Sequence, residues 1–369
     1  MSYARTVNSK PSSSSATGEL ALLRSLRARA ARHRSPALRL GIGDDCALLA
    51  ARPGEEIAVT TDLSIAGRHF RLDWHPPEAV GHRALARGLS DLAAMGARPL
   101  AAFLSLAVPR ELTRAARHGS WVDRFLTGLL DLSDKCKTPL AGGDLAESPL
   151  ATADIVLIGA VKRGHALLRS GARPGDRLYV TGSLGSSAAG LQKLAAMGQD
   201  REQRAASRGQ LPAAEGQKAA NGKTPLTGLR IPTRLEPFLA AHLSPQPRLA
   251  QGLWLSRRGV ATAALDISDG LATDLRHLCE ESGVAAEILA EALPLGPGAT
   301  LEQALYGGED YELLFTAPEQ AKLPRAMQGV AITPIGRIVK ARKDQPRISL
   351  LNKNIRQPLT GNGWEHFSI

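Results

Sequence analysis

Residues 76–108 read PPEAVGHRALARGLSDLAAMGARPLAAFLSLAV. Pro76 and Pro77 suit the start of a helix, where a missing N–H leaves nothing unsatisfied. Leu89, Leu92 and Met95 then recur at helical spacing, which predicts a helix over 76–97. Leu100–Val108 is an apolar run of strand length. The pattern repeats outward. Ile57–Thr61 reads as a strand, Glu111–Lys135 as a helix and Ala153–Val161 as a strand. RPGDRLYVTG (173–182) reads as turn, strand and glycine loop before a helix over Ser186–Met197. Ala261–Leu265, Val284–Leu289, Tyr311–Thr316 and Val330–Ile335 are further strands. Strand–helix alternation on this scale defines an α/β class protein with mixed sheets. At 369 residues and ~150 residues per domain, two domains are expected. The composition shift near Arg163–Arg173 marks the boundary.

Hydrophobic residues make up 43% and charged residues 22%, enough for a sizeable core. Cys46, Cys136 and Cys279 form no CxxC pair and are odd in number, which argues against a secreted disulfide framework and a structural metal cage. No apolar run reaches the ~18 residues of a membrane span. The first residues lack the apolar stretch of a secretory signal, so a cytoplasmic protein is expected.

The net charge of +11 invites a nucleic-acid reading. Its distribution weakens that reading. Residues 1–40 hold eight Lys/Arg against Glu19 alone, and residues 198–230 hold six bases against three acids. The rest is close to neutral. Residues 1–17 are Ser-rich and read as disordered. Residues 18–33 read as an amphipathic surface helix carrying Leu20, Leu23 and Leu26. Residues 198–230, poor in large apolar side chains, read as a mobile insertion.

Carboxylates stand at the ends of apolar runs: Asp44 and Asp45 in LGIGDD, Asp62 in VTTD, Asp91 in LSDLAAMG, Asp144 in LAGGD, Asp266 and Asp269 in LDISDG, Glu309 and Asp310 in YGGEDYELLF. Strand ends are where α/β folds place their sites. Hard divalent cations such as Mg²⁺ take a few carboxylates together with substrate phosphates. The neighbouring glycines let backbone approach a ligand and turn its N–H groups toward phosphate. Walker, HRD and DFG motifs are absent. Any one GD or DG is by itself most often a solvated turn, and Asp269 could simply cap a helix starting at Gly270. Six such strings in one chain point to a phosphate-handling enzyme. His69 and Arg169 alone would be surface residues, and Cys46 alone a small packing residue.

In order, GIGDDCALL, TTDLSIAGRHF, ALARGLSDLAAMGARPLAAFLSLAVP, LAGGD, RSGARPGDRLYVTGSLGSSAAGL, ALDISDGLATDL and LYGGEDYELLFT resemble the thiamine-monophosphate kinase family, over roughly residues 18–197 and 246–369. The resemblance implies a PurM-like (aminoimidazole-ribonucleotide-synthetase-like) fold. That fold has an N-terminal ATP- and Mg-binding domain (18–168), forming a shared barrel-like sheet in a homodimer, and a C-terminal α/β domain (169–369). It implies direct, in-line transfer from ATP to thiamine monophosphate, assisted by several Mg²⁺ ions, giving thiamine diphosphate. Carried over by residue, it implies metal ligation by Asp45, Thr60, Thr61, Asp62, Asp91, Asp144, Asp266 and Asp269. ATP contacts fall to Gly143, Asp144, Arg169 and Ser268, and substrate contacts to His69, Glu309 and Trp364. Leu145 stands where the family usually has Thr, and Arg68 where it is often small or polar.

Two other readings make different predictions. Another enzyme of the same superfamily would respond to a different acceptor in a substrate panel with ATP. A nucleic-acid-binding protein using the Arg-rich N-terminus would show steeply salt-dependent binding, but would leave the acidic strings without a purpose.

Overall fold

The computed structural model describes residues 19–30, 32, 35–42, 46–207, 237–353 and 355–360. Asp44, Asp45 and Trp364, the tail 1–17 and most of the expected insertion lie outside these residues.

The first half builds a four-stranded sheet in the order β3 (Glu55–Ile65), β6 (Thr152–Lys162), β4 (Arg98–Val108), β5 (Leu140–Glu147). Only the β4–β5 pair is parallel. Two helices, α2 (Pro77–Ala94) and α3 (Trp121–Cys136), cover one face. Leu85, Leu89, Phe125 and Leu129 are fully buried there, each contributing about 1.5–3 kcal/mol by leaving water. The helices approach closely because Gly81 and Gly128 face each other's backbones. A Cβ on Gly81 would sit 1.9 Å from the Phe125 carbonyl oxygen, and one on Gly128 1.9 Å from that of Glu78. An N-terminal helix, α1 (Glu19–Ala30), docks through Leu26 and Ala30. A small hairpin pairs β1 (Leu38–Leu40) with β2 (Leu48–Leu49).

The second half builds a larger sheet. Its order is β14 (Ile355–Pro358), β13 (Ile348–Asn352), β9 (Val284–Leu289), β12 (Val330–Lys340), β7 (Arg177–Thr181), β10 (Glu312–Ala317), β8 (Ala263–Ile267), with β11 (Ala326–Met327) paired onto β12. The period-2 alternation of β10 serves two cores. Leu314 joins Leu271, Leu275 and Leu278 of α7 (Leu271–Glu281), while Leu313 and Phe315 face the other way. That second layer holds Tyr179, Leu255 of α6 (Leu249–Arg258), and Ala93 and Ala94 of α2. One helix thus carries the first core on its middle and joins the second sheet at its end. Among the described residues the remaining helices are α4 (Ser186–Ser207), α5 (Pro237–Leu243) and α8 (Leu301–Tyr306).

Several expected boundaries shift, each for a local reason. The helix expected over 111–135 begins at Trp121, because Ser120 and Asp123 close a reciprocal capping box there. Only a short 3-10 turn, Arg110–Thr113, precedes it. LAGGD is strand rather than turn, its glycines paired in parallel with Phe103 and Leu104. Gly143 has φ 146°, and a Cβ there would meet the Leu104 carbonyl oxygen at 1.9 Å. α4 continues to Ser207, past the point where the insertion was expected to begin. Asp269 does not cap α7. Gly270 is the N-cap, without a side-chain bond.

Candidate active site

Arg83, Arg87, Ser90 and Asp91 lie on α2 at offsets of four, seven and eight residues, so they share one helix face. That face looks at the inner side of β3 and the end of β8. Each residue finds a partner there. Asp91 Oδ2 accepts a 2.5 Å hydrogen bond from the Thr60 hydroxyl. Ser90 Oγ donates to Asp266 Oδ2 at 2.6 Å, across the junction of the two halves. The Arg87 guanidinium spans both oxygens of Asp62, with Nε to Oδ2 2.9 Å and Nη2 to Oδ1 2.7 Å. Arg83 Nη2 donates to Glu309 Oε1 at 2.6 Å and to the His69 carbonyl at 3.3 Å.

The electrostatics divide this face. Burial, helped by the Asp91 charge, pushes Asp266 up to about 7, against the Ser90 hydrogen bond and Arg169. Burial likewise raises Asp91, with Thr60, Arg169 and Arg87 opposing. Asp62 rises to about 6, through burial and the nearby Asp91 and Glu309 charges, despite Arg87. Like charges in a poorly solvated place disfavour ionisation. Glu309 goes the other way. Burial alone would raise it, but the Arg83 guanidinium overrides that and holds its pKa below the usual value.

The LDISDG loop is organised by a residue the sequence did not single out. Asp274 Oδ2, one turn into α7, accepts the backbone N–H groups of Ser268 and Asp269, each at 3.0 Å. Burial, then the charges of Asp266 and Asp269, push its pKa well up. The GGED loop is bound to the same strand end. Glu309 N–H donates to Ser268 O at 2.7 Å and Tyr311 N–H to Ile267 O at 2.9 Å. Glu309 (φ 65°) and Tyr311 (φ 52°) are both left-handed, a strain of about 1–3 kcal/mol each that such residues carry mainly at functional sites. Asp310 accepts the Gly185 and Ser187 N–H groups at the start of α4, at 2.6 and 3.2 Å. Burial still raises it to about 7. His69 Nδ1 accepts the Ile65 N–H at 3.0 Å. Arg169 is exposed but close enough to bias both Asp91 and Asp266.

The structure therefore brings together Thr60, Asp62, Asp91 and Asp266, with the Ser268–Asp269 loop alongside and Arg169 in electrostatic reach. His69 and Glu309 share Arg83. It does not bring Thr61 and Asp144 to this face. Thr61 stands in a cross-strand row with Val156, Phe103 and Gly142, and Asp144 lies two residues beyond Gly142 on that same outer side. Asp62 is in the inner row with Ile155, Leu104 and Gly143. Gly143 has no side chain to direct, and Asp144 accepts the N–H of Leu145 at 2.9 Å. Among the described residues no three His, Cys, Asp or Glu side chains already converge as a cation cluster. Thr60, Arg87 and Ser90 instead occupy the carboxylate oxygens. Sequence reasoning missed Arg83, Arg87, Ser90 and Asp274. The spacing of Arg83, Arg87 and Asp91 at i, i+4, i+8 was the available signal.

This chain, with a four-stranded sheet, a larger mixed sheet and α2 in the core of both, belongs to the AIR synthase related proteins. The family's N-terminal domain description matches residues 43–161 and its C-terminal domain description residues 173–349. Within it, the thiamine-monophosphate kinase of Escherichia coli is 37% identical over 343 residues, 90% of this chain and 93% of its own. That of Bacillus subtilis is 33% identical over 365 residues, 95% of this chain and 99% of its own. The crystal structure of the Stenotrophomonas maltophilia thiamine-monophosphate kinase superposes with a TM-score of 0.69 at 33% identity, covering 89% of this chain and 95% of that one. The chain belongs to the thiamine-monophosphate kinase family. AaThiL complexed with AMPPCP and TMP is 29% identical, with a TM-score of 0.66, over 96% of this chain and all of the other. The hydrogenase maturation protein HypE in complex with ATP, at 17% identity and a TM-score of 0.65, shares the fold alone.

Proposed function

We propose that this protein transfers the terminal phosphoryl group of ATP directly to the phosphate of thiamine monophosphate, giving thiamine diphosphate and ADP. Family membership and a relative that holds an ATP analogue with TMP support the reaction. The observation that carries it to this chain is the α2 face, on which Asp91 accepts from Thr60, Arg87 spans Asp62 and Ser90 donates to Asp266.

Such a donor set suits a hard divalent cation. It is all oxygen, with more negative charge than its neighbours neutralise. Asp62, Asp91, Asp266 and Asp269, with Thr60, are the described residues that would hold Mg²⁺. When bound, the ions neutralise the triphosphate and the charge developing on the transferred group. The chain's own residues do the rest. Arg169 adds a cation near Asp91 and Asp266. Ser268 and Asp269, fixed by Asp274, present an ordered turn to the nucleotide. His69 and Glu309 receive the thiamine half, the Glu309 carboxylate staying ionised as an acceptor for amino groups. Asp45 and Trp364 complete the metal and acceptor sides in this reading. The site draws on both expected domains, 18–168 and 169–369, of a cytoplasmic enzyme.

Thr61 and Asp144 fit this scheme through a second copy. Their sheet face also carries Ile57, Val59 and Leu63, which are 51, 61 and 45% exposed, an apolar face that a homodimer would cover. Light scattering should give twice the chain mass of 39.0 kDa. A monomeric mass would remove the dimer.

A phosphorus NMR time course with protein, Mg²⁺, ATP and thiamine monophosphate tests the reaction. Thiamine diphosphate should grow with matching ADP. ATP loss that is equal without the thiamine compound would overturn the acceptor assignment.

A further inference from the structure

Behind Glu309 lies a buried polar cluster that the phosphoryl-transfer scheme does not use. Arg83, His75, His242 and Ser187 are 4, 2, 1 and 1% exposed. They come from four elements: α2, the turn before it, α5 and the start of α4. Arg83 Nη1 donates to the His242 carbonyl at 2.7 Å, with the same nitrogen 3.0 Å from the ring Nε2. Its Nη2 serves Glu309 Oε1 and the His69 carbonyl. His75 Nδ1 lies 3.1 Å from the Arg71 nitrogen and 3.3 Å from the Arg71 carbonyl oxygen, and its Nε2 is 3.1 Å from His242 Nε2. His242 Nδ1 lies 3.0 Å from Arg83 Nη1, 3.1 Å from Ser187 Oγ and 3.7 Å from Glu309 Oε2. Glu309 Oε1 thus accepts from Arg83, and Oε2 lies beside the His242 ring. The Ser187 backbone is itself held by Asp310, the next residue.

We propose that Arg83 and His242 are positioning residues for the acceptor, holding the Glu309 carboxylate and the His69 loop in the arrangement that recognises the thiamine half of the substrate. The inference rests on the reading of Glu309 and His69 as substrate contacts. Its physical basis is that Arg83 bonds to both of these otherwise separate segments. Glu309 occupies a strained backbone conformation that local preference does not favour. Without the guanidinium, a half-buried carboxylate would lose its compensating charge and reorient toward water. Arg83 and His242 make no contact with Asp62, Asp91 or Asp266 in the described hydrogen bonds, so ATP use should be spared.

The test is steady-state kinetics with ATP and thiamine monophosphate varied separately, on Arg83→Met, Arg83→Lys, His242→Asn and Glu309→Gln, each checked for folding by circular dichroism. Arg83→Met should raise KM for thiamine monophosphate by about 10- to 100-fold, the order expected of a misplaced contact. KM for ATP should stay within about twofold. Arg83→Lys, which restores the charge, should recover part of the loss, and His242→Asn should show a smaller change of the same kind. If Arg83→Met does not fold, Arg83→Lys and His242→Asn carry the test. Equal rises in both KM values, or an unchanged KM for thiamine monophosphate in every folded variant, would overturn the positioning role. Glu309→Gln separates the two ideas. If it leaves that KM unchanged, the substrate reading of Glu309 fails. If it raises that KM while the Arg83 and His242 variants do not, only the positioning role fails.

Discussion

The two ends of one face of α2 handle charge in opposite ways. Toward its C-terminus, Asp91 meets Asp266 and Asp62 with too few cations nearby, and burial drives all three pKa values up. Toward its N-terminus, Arg83 meets Glu309 one to one, and the carboxyl pKa falls. Both places are poorly solvated, so burial alone does not explain the difference. Local charge balance does. An end with surplus negative charge is stabilised by binding cations and, through them, phosphates. An end already neutralised is ordered before substrate arrives and suits recognition by hydrogen bonds.

The largest way to break this contrast is Asp91→Asn. It removes the carboxylate that faces both Thr60 and Asp266, and kcat should fall by about 100- to 1000-fold, the scale of losing a principal electrostatic group. The thermal midpoint should hold or rise, because Asp266 loses a repelling neighbour. Near-wild-type kcat in a folded variant would remove the cation role of this end. Next in size, Arg83→Met should act at the other end, on KM for thiamine monophosphate rather than on kcat. Loss of both parameters together would mean that the two ends work as one unit.

The smallest effect is on stability against pH. Asp62 and Asp266 have folded pKa values of about 6 and about 7, above the ~3.9 of an unfolded Asp. The folded state therefore binds more protons between those values, and their contribution to stability is fully present below pH ~4 and declines as pH rises toward 7. The metal-free midpoint should drop by a few degrees from pH 5 to pH 7.5, and Mg²⁺ should raise it more at pH 7.5 than at pH 5. A Mg²⁺ effect equal at both pH values would detach these carboxylates from the cation.

Much of this was legible along the chain. The period of Leu89, Leu92 and Met95 marked α2, and Val284–Leu289 was readable to the residue, because a buried strand bounded by Gly283 and a following turn leaves little choice. The carboxylate strings were visible as strings. The helix boundary at Ser120 could also have been read, since Ser120 and Asp123 form a capping signal that the apolar pattern around them masked. LAGGD misled as a turn. Glycine marks both turns and close strand approach, and only the partner strand, with Leu104 O against Gly143, distinguishes them.

The sequence by itself determined the alternation of strands and helices, the near-neutral body with its basic appendages, and the set of residue types able to serve phosphate transfer. Those follow from local period, composition and side-chain chemistry. Tertiary structure alone decided which carboxylates meet. A strand's two faces differ by one residue, so Thr60 and Asp62 turn toward α2 while Thr61 turns away with Asp144. Which face is inner depends on where α2 and α3 pack. The same packing decided that Arg83, an ordinary helix residue in sequence, ties Glu309, 226 positions away, to His69. A local pattern carries no information on such a pairing, because only the closing of the second sheet onto α2 brings the partners within reach.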